Sequence, residues 1–183
     1  MHESRISCFP PSELLYHCGY NVYVRYERVM KRALQLAGLP LDSHPKNLIF
    51  SPLRALTPEI RLELIDNAIA STPNVGLVII DGIRDLMFNI NNAIESSRLI
   101  SKLMEWTDKY QIHIHTVLHL NKSDDNVRGH VGTELNNKAE TVLQVCKSTT
   151  DSEVTEVSAS CIRSMDFPPV AFIVNEAGLP EII

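Results

Sequence analysis

The stretch that decides the fold is Val75-Gly76-Leu77-Val78-Ile79-Ile80-Asp81. A continuous apolar run that ends in an acidic residue is typical of a parallel strand buried on both faces. The carboxyl ends of such strands are where α/β folds bind ligands, so Asp81 is the first candidate site residue. An aspartate that only caps the following loop has the same pattern, and the strand alone does not decide between the two interpretations.

Helical and strand patterns alternate on both sides of this stretch, which predicts an α/β sheet. Gly38 and Pro40 end a helix, and Thr57 caps another that has Pro58 at its first position. The residues expected to face the core in the helices starting at Pro58 and near Asn91 are Ile60, Leu64, Ile65, Ala68 and Ile69, then Leu99, Ile100, Leu103 and Met104.

Further strands are predicted from short apolar or β-branched runs. Buried strands are expected at Asn47–Phe50 and Ile112–Leu120, whereas Tyr20–Tyr26 fits either a strand or the start of the helix that contains Val29. Segments near the end of the chain suggest an antiparallel extension at one edge of the sheet, and they are Thr141–Val145, Val154–Ser160 and Val170–Val174.

Length and charge restrict the classes of protein. The chain has 183 residues, enough for one ordinary domain, which we expect to span residues 29–183 after an irregular segment over 1–28. Seventeen basic and 22 acidic residues give a net charge of −5, which argues against a stand-alone DNA-binding protein. No apolar run reaches the roughly 18 residues of a membrane span, and Met1–Pro11 is unlike a secretory leader.

Cysteine usage points to a reducing compartment. The four cysteines Cys8, Cys18, Cys146 and Cys161 are widely spaced and form no C-x-x-C pair. Free thiols in the cytoplasm are therefore the simplest interpretation.

A second polar region follows the strand predicted at Ile112–Leu120. It contains His119-Leu120-Asn121-Lys122, then Arg128-Gly129-His130, then Gly132-Thr133-Glu134. Because parallel strands end at one edge of a sheet, His119 is expected near Asp81. The stretch Asn121–Thr133 is expected to be a glycine-bearing loop.

Together these motifs resemble a family of RecA-like ATPases related to RepA-type hexameric helicases, found in bacterial mobile elements and primase–helicase fusions. The resemblance runs from about Val29 to the end of the chain and implies a RecA-like, mainly parallel sheet flanked by helices. The segments that carry it are Asp81-Gly82-Ile83-Arg84-Asp85-Leu86, His119-x-Asn121-Lys122, Arg128-Gly129-His130-x-Gly132-Thr133-Glu134-Leu135, Asn137-Lys138-Ala139-Glu140-Thr141 and Gly178-Leu179-Pro180.

The resemblance implies a role for each matching residue. Asp81 is expected to be the Walker B acid that orients Mg²⁺ on ATP, and His119 the sensor at the strand tip. Arg163 is expected to be an arginine finger reaching a neighbouring subunit, or else a solvated surface arginine. The residues expected to face DNA are Lys122, Arg128, Gly129 and His130.

The chain departs from the family at the nucleotide phosphates. No G-x-x-x-x-G-K-[ST] occurs, because none of the seven glycines is followed by lysine. The nest of backbone N–H groups and the lysine that hold the phosphates are therefore missing, and we expect no bound cofactor where the family binds ATP and Mg²⁺. Glu27 is the only carboxylate in roughly the region of the acid that would activate water.

Three hypotheses follow for function. The first is a non-hydrolysing RecA-like protein, truncated on its P-loop side and linked to DNA replication or to the mobility of a mobile element. The second is a fragment of an active DNA-dependent ATPase whose P-loop is missing or comes from another chain. The third is a protein-interaction module. Open strands beside the missing P-loop strand would favour homo-oligomers, with weak DNA binding and no membrane contact.

Three histidines share one parity on the predicted strand Ile112–Leu120. Along a strand, His113 and His115 lie about 6.5 Å apart, but His119 lies about 13 Å from His115, too far to share a metal easily. Packed or hydrogen-bonded histidines are the preferred interpretation over a zinc site.

Overall fold

The computed structural model describes residues 20–120 and 129–183. Helices and strands both occur, in a mixed α/β arrangement. The helices are α1 (Tyr20–Leu36), α2 (Pro58–Ser71), a 3-10 helix (Ile83–Leu86), α3 (Ala93–Tyr110) and α4 (Gly129–Lys138). The strands are β1 (Leu77–Asp81), β2 (His113–Val117), β3 (Thr141–Lys147), β4 (Thr155–Ile162), β5 (Val170–Val174) and β6 (Pro180–Ile182).

Strands β1 and β2 form a parallel pair. Leu77 lies beside His113 at one end, and Asp81 lies beside Val117 at the other. The chain between them contains α3, which supplies the crossover that parallel strands need. The two strands predicted around Asp81 and His113 are therefore confirmed as parallel neighbours, although β2 ends at Val117 and not at Leu120.

The strands that close the chain form a separate antiparallel sheet in the order β3-β4-β5-β6. The three strands predicted there are confirmed, and β6 is an additional one. Within the described residues, these strands pair with one another and not with β1 or β2. The predictions of a mainly parallel sheet and of an antiparallel extension at its edge are therefore wrong for this part of the chain.

The core lies between one face of the parallel pair and helices α2 and α3. Val78 and Ile80 point into it, because alternate residues of a strand share a face. The buried members of this cluster are Ile65, Ile69, Val78, Ile80, Ile83, Leu86, Met87, Leu99, Ile100, Leu103, Trp106, Ile112 and Val131.

Two inward-facing residues were predicted wrongly. Ile60 is 43% exposed near the start of α2, and Met104 is 50% exposed on α3. The other members of the two predicted stripes are buried, except the half-buried Leu64. Trp106, which is fully buried, takes the inward position that the stripe assigned to Met104. At the start of α2, Thr57 is the N-cap residue as predicted, but its side chain makes no capping hydrogen bond.

The N-terminal part of the prediction also changes. Residues 20–28 belong to α1, so an irregular segment over 1–28 is wrong for them, and its remainder lies outside the described residues. Helix, not strand, is thus the structure of Tyr20–Tyr26, which runs without a break into Met30–Leu36. Asn47–Phe50 forms no strand, because only Leu48 makes an isolated bridge.

A polar cluster ties α2 to α3 next to the core. Trp106 donates its indole N–H to the Asp66 carboxylate at 2.6 Å, and Lys102 lies 3.3 Å from the same carboxylate. Partial burial lowers the pKa of Lys102, but the hydrogen bonds from Glu105 and Asp66 outweigh it and leave this pKa above its ordinary value. The indole N–H of the fully buried Trp106 is therefore satisfied, as buried donors usually are.

Across residues 20–120 and 129–183, the helices are too short or too polar to cross a lipid bilayer.

Candidate functional site

The candidate site is the edge of the parallel pair where β1 and β2 both end. Asp81 is the last residue of β1, and its side chain is exposed. Gly82 follows in the left-handed conformation (φ 91°) and turns the chain into the 3-10 helix. A β-carbon on Gly82 would lie 3.3 Å from the Asp85 carboxylate, so the two aspartates flank this turn.

His119 reaches the same edge from the neighbouring strand. It lies beyond Val117, the residue paired with Asp81, and its side chain is exposed. The expectation that these two residues meet at one edge of a parallel pair is therefore met in topology. An exposed carboxylate and an exposed imidazole have the chemistry to contact a Mg²⁺–phosphate group and to donate a hydrogen bond to it.

One face of the parallel pair is uncovered among the described residues. We call it the open sheet face, and its members are Leu77, Ile79, Asp81, His113, His115 and Val117. Ile79 is 56% exposed, and His113 and His115 are exposed beside it. The expectation of strands buried on both faces is thus wrong, and so is that of packed histidines. The helices α2 and α3 cover only the opposite face.

A capped loop follows the 3-10 helix and leads into α3. Asn92 caps the helix by accepting from the N–H groups of Ile94 and Glu95 at 3.0 Å. The Glu95 carboxylate in turn accepts from Phe88 and Asn89 at 2.7 and 3.1 Å. The spacing Asn92-x-x-Glu95 is a capping signal that the sequence analysis missed.

The start of α4 packs on this loop. Gly129 has φ 72°, and a β-carbon there would lie 2.7 Å from the Ile90 carbonyl oxygen. Val131 also donates its N–H to that carbonyl at 3.4 Å. Gly129 and His130 therefore begin a helix, and the prediction of a loop is wrong for residues 129–133. His130 is exposed, while Lys122 and Arg128 lie outside the described residues.

Arg163 lies directly after β4 and binds within its own chain. Its guanidinium donates to the Asn137 carbonyl at 2.9 Å, near the end of α4, and its N–H donates to the Glu140 carbonyl at 3.1 Å. An arginine suits the last carbonyls of a helix because of its charge. The side chain is exposed, and neither of these hydrogen bonds connects it to Asp81.

Two further residues have defined partners. Glu27, the carboxylate considered for activating water, lies 2.6 Å from Lys31 on an exposed face of α1. Arg61 donates to three backbone carbonyls, those of Leu53, Arg54 and Asp85, and thereby ties the chain before α2 to the 3-10 helix that follows Asp81. No sequence signal marked Arg61, because its partners are backbone atoms distant in sequence.

A shallow groove of about 190 Å³ lies between α2 and α3. Its apolar lining includes Leu62 and Phe88, and its rim carries Glu59 and Arg98. Among the residues that the structure describes, no three His, Cys, Asp or Glu side chains are grouped closely enough to hold a metal ion.

Comparison with models of known protein families gives no match, and comparison with curated protein sequences gives none either. The resemblance to RecA-like ATPases therefore stays a prediction that depends on the motifs themselves.

Proposed function

We propose that this chain is a RecA-like ATPase homologue that does not hydrolyse ATP and takes part in DNA replication or in the mobility of a mobile genetic element. The observation that carries the proposal is the common edge of β1 and β2. There Asp81 ends one parallel strand and His119 follows its neighbour. This is the arrangement expected of a Walker B acid and a sensor residue, in a sequence with no phosphate-binding loop.

The proposal includes cytoplasmic location, self-association and weak DNA binding. Free thiols support the location, because Cys146 and Cys161 are unpaired. The uncovered Ile79 supports self-association. Arg163 takes part as an arginine finger only if a neighbouring subunit draws it away from the Asn137 carbonyl.

We expect no ATP turnover by the purified chain above that of a mock preparation, and weak ATP binding at most. Asp81 contacts nucleotide mainly through Mg²⁺, and no backbone nest is present to hold the phosphates. The measurement is phosphate release with Mg²⁺ and ATP, with Asp81→Asn and Asp151→Asn compared in parallel. Turnover that disappears in Asp81→Asn and survives in Asp151→Asn would contradict the proposal and support an active ATPase.

We expect DNA binding to be weak and to fall steeply with salt. Replacing Lys122 and Arg128 together by alanine should lower the slope of log affinity against log salt by about 2, roughly one for each lost phosphate contact. The measurement is fluorescence anisotropy of labelled single-stranded DNA at several salt concentrations.

The matched control replaces Lys46 and Arg98, both exposed, by alanine, which removes the same charge from other surfaces. Equal losses in both double variants, or no binding at low salt, would remove the DNA role of the Lys122–Arg128 segment from the proposal.

A further inference from the structure

The outward face of α1 is apolar and uncovered. Val29, Ala33 and Leu36 recur at helical spacing and form what we call the α1 stripe. Val29 is 53% exposed and Leu36 is 59% exposed, and Leu39 beyond the helix is 41% exposed. The stripe was predicted to face the core, but Leu34, on a different side of α1, is the residue that is buried, with only 2% exposed. Surface helices normally bury such a stripe.

Contacts on other sides hold α1 in its own chain. The guanidinium of Arg32 packs against Gly178, where an added β-carbon would lie 2.7 Å from it. This places α1 beside the turn between β5 and β6, with Leu34 buried and the α1 stripe left outside. The stripe is therefore available to another molecule without any unfolding of α1.

The open sheet face is the second uncovered apolar surface, and it complements the first. A helix laid on a sheet is one of the standard ways in which both bury their apolar sides. The 17 residues of α1 extend about 25 Å. The five-residue strands β1 and β2 extend about 17 Å, so one helix covers their length.

Charge supports the same contact. From Glu27 to Leu36, α1 carries Arg28, Lys31 and Arg32 against one acid, a balance of 3 − 1 = +2. The open sheet face carries Asp81 as its single acid. Its histidines are neutral at about pH 8, so the face is then apolar with one negative charge.

We propose that two copies of this chain associate through a reciprocal contact, in which the α1 stripe of each copy packs on the open sheet face of the other. A contact between two different surfaces closes as a symmetric dimer when it is made twice. This inference deepens the self-association in the proposed function and rests on it. It does not depend on nucleotide or DNA.

The experiment measures molar mass by light scattering after size-exclusion chromatography, over a range of concentrations at about pH 8. We expect a dimer. Leu36→Asp and Ile79→Asp should each weaken it roughly 100-fold or more, because each puts a charge into both copies of the contact. Met104→Asp is the control, since Met104 is equally exposed but lies on α3, outside both surfaces. Trp106 fluorescence checks that each variant is folded.

Mixing Leu36→Asp with Ile79→Asp makes the test specific. The mixed dimer keeps one intact contact, from α1 of the Ile79→Asp copy to the sheet of the Leu36→Asp copy. We therefore expect dimer in the mixture at concentrations where each variant alone is monomeric. A contact between like surfaces, or a misfolded variant, gives no such rescue, and its absence would overturn the proposal.

The remaining outcomes also decide. A dimer insensitive to Leu36→Asp or Ile79→Asp, or equally sensitive to Met104→Asp, would refute this interface and leave self-association standing. A monomer at every concentration would refute both. Neither result bears on ATP hydrolysis, which the phosphate-release assay decides separately.

Discussion

Replacement of Trp106 by alanine is expected to lower the free energy of unfolding by about 3–5 kcal/mol. The side chain is fully buried between α3 and α2, so its loss leaves a large cavity, and the Asp66 carboxylate loses an N–H donor at 2.6 Å. Domains of this size are stable by only about 5–15 kcal/mol, so the loss is a large part of the total. Urea unfolding followed by far-UV circular dichroism measures it without depending on tryptophan fluorescence.

Two control variants separate the sources of this loss. Trp106→Phe keeps most of the apolar volume, and Asp66 keeps Lys102 as a partner, so we expect a loss of about 1 kcal/mol. Met104→Ala, at a half-exposed position of the same helix, should cost less than about 1 kcal/mol. If Trp106→Ala costs no more than Met104→Ala, then α3 does not pack on α2 through Trp106.

The sequence around Asp81 was sufficient to predict the parallel pair. A long apolar run with an acid at its end fits few structures other than a parallel strand, and the helix between β1 and β2 makes the pairing parallel. The strands at the end of the chain were also predictable from their β-branched residues, because Val154–Ser160 and Val170–Val174 have little helical periodicity.

What covers each apolar face could not be predicted. Periodicity shows that a helix or strand has an apolar side, but not whether a partner lies against it. Ile79 and Leu36 have patterns typical of core residues, and yet 56% and 59% of them are exposed. Trp106 and Met104 show the same difficulty on a finer scale, because a helical stripe is known only to within one or two positions.

The candidate site was predictable in part. Asp81 and His119 reach one edge because of the strand order, which the sequence indicates. The partners of Arg163 and Arg61 are backbone carbonyls far away in sequence, such as Asn137 and Asp85. No residue pattern encodes such contacts, since any residue offers a carbonyl.

Gly129 is the residue whose predicted and observed roles differ most, and we expect Gly129→Ala to lower the free energy of unfolding by about 2–4 kcal/mol. Two costs add. At φ 72° an alanine adopts the left-handed conformation, and its β-carbon would lie 2.7 Å from the Ile90 carbonyl oxygen and 3.1 Å from Oδ1 of Asn91. Both neighbours belong to the capped loop that leads from the Asp81 edge into α3, so the substitution forces α4 away from that loop.

Gly38→Ala is the matched control, because it separates the two costs. Gly38 also has a left-handed backbone, with φ 68°, but an added β-carbon would meet nothing within 4 Å. It should therefore cost only about 1–2 kcal/mol, the conformational part. Urea unfolding followed by circular dichroism gives both values, and anisotropy with labelled DNA is run on the same samples. A Gly129→Ala variant as stable as Gly38→Ala but weaker in DNA binding would return Gly129 to its predicted DNA-facing role. A larger loss of stability, with the DNA affinity of the folded fraction unchanged, is the result that the packing of Gly129 on Ile90 requires.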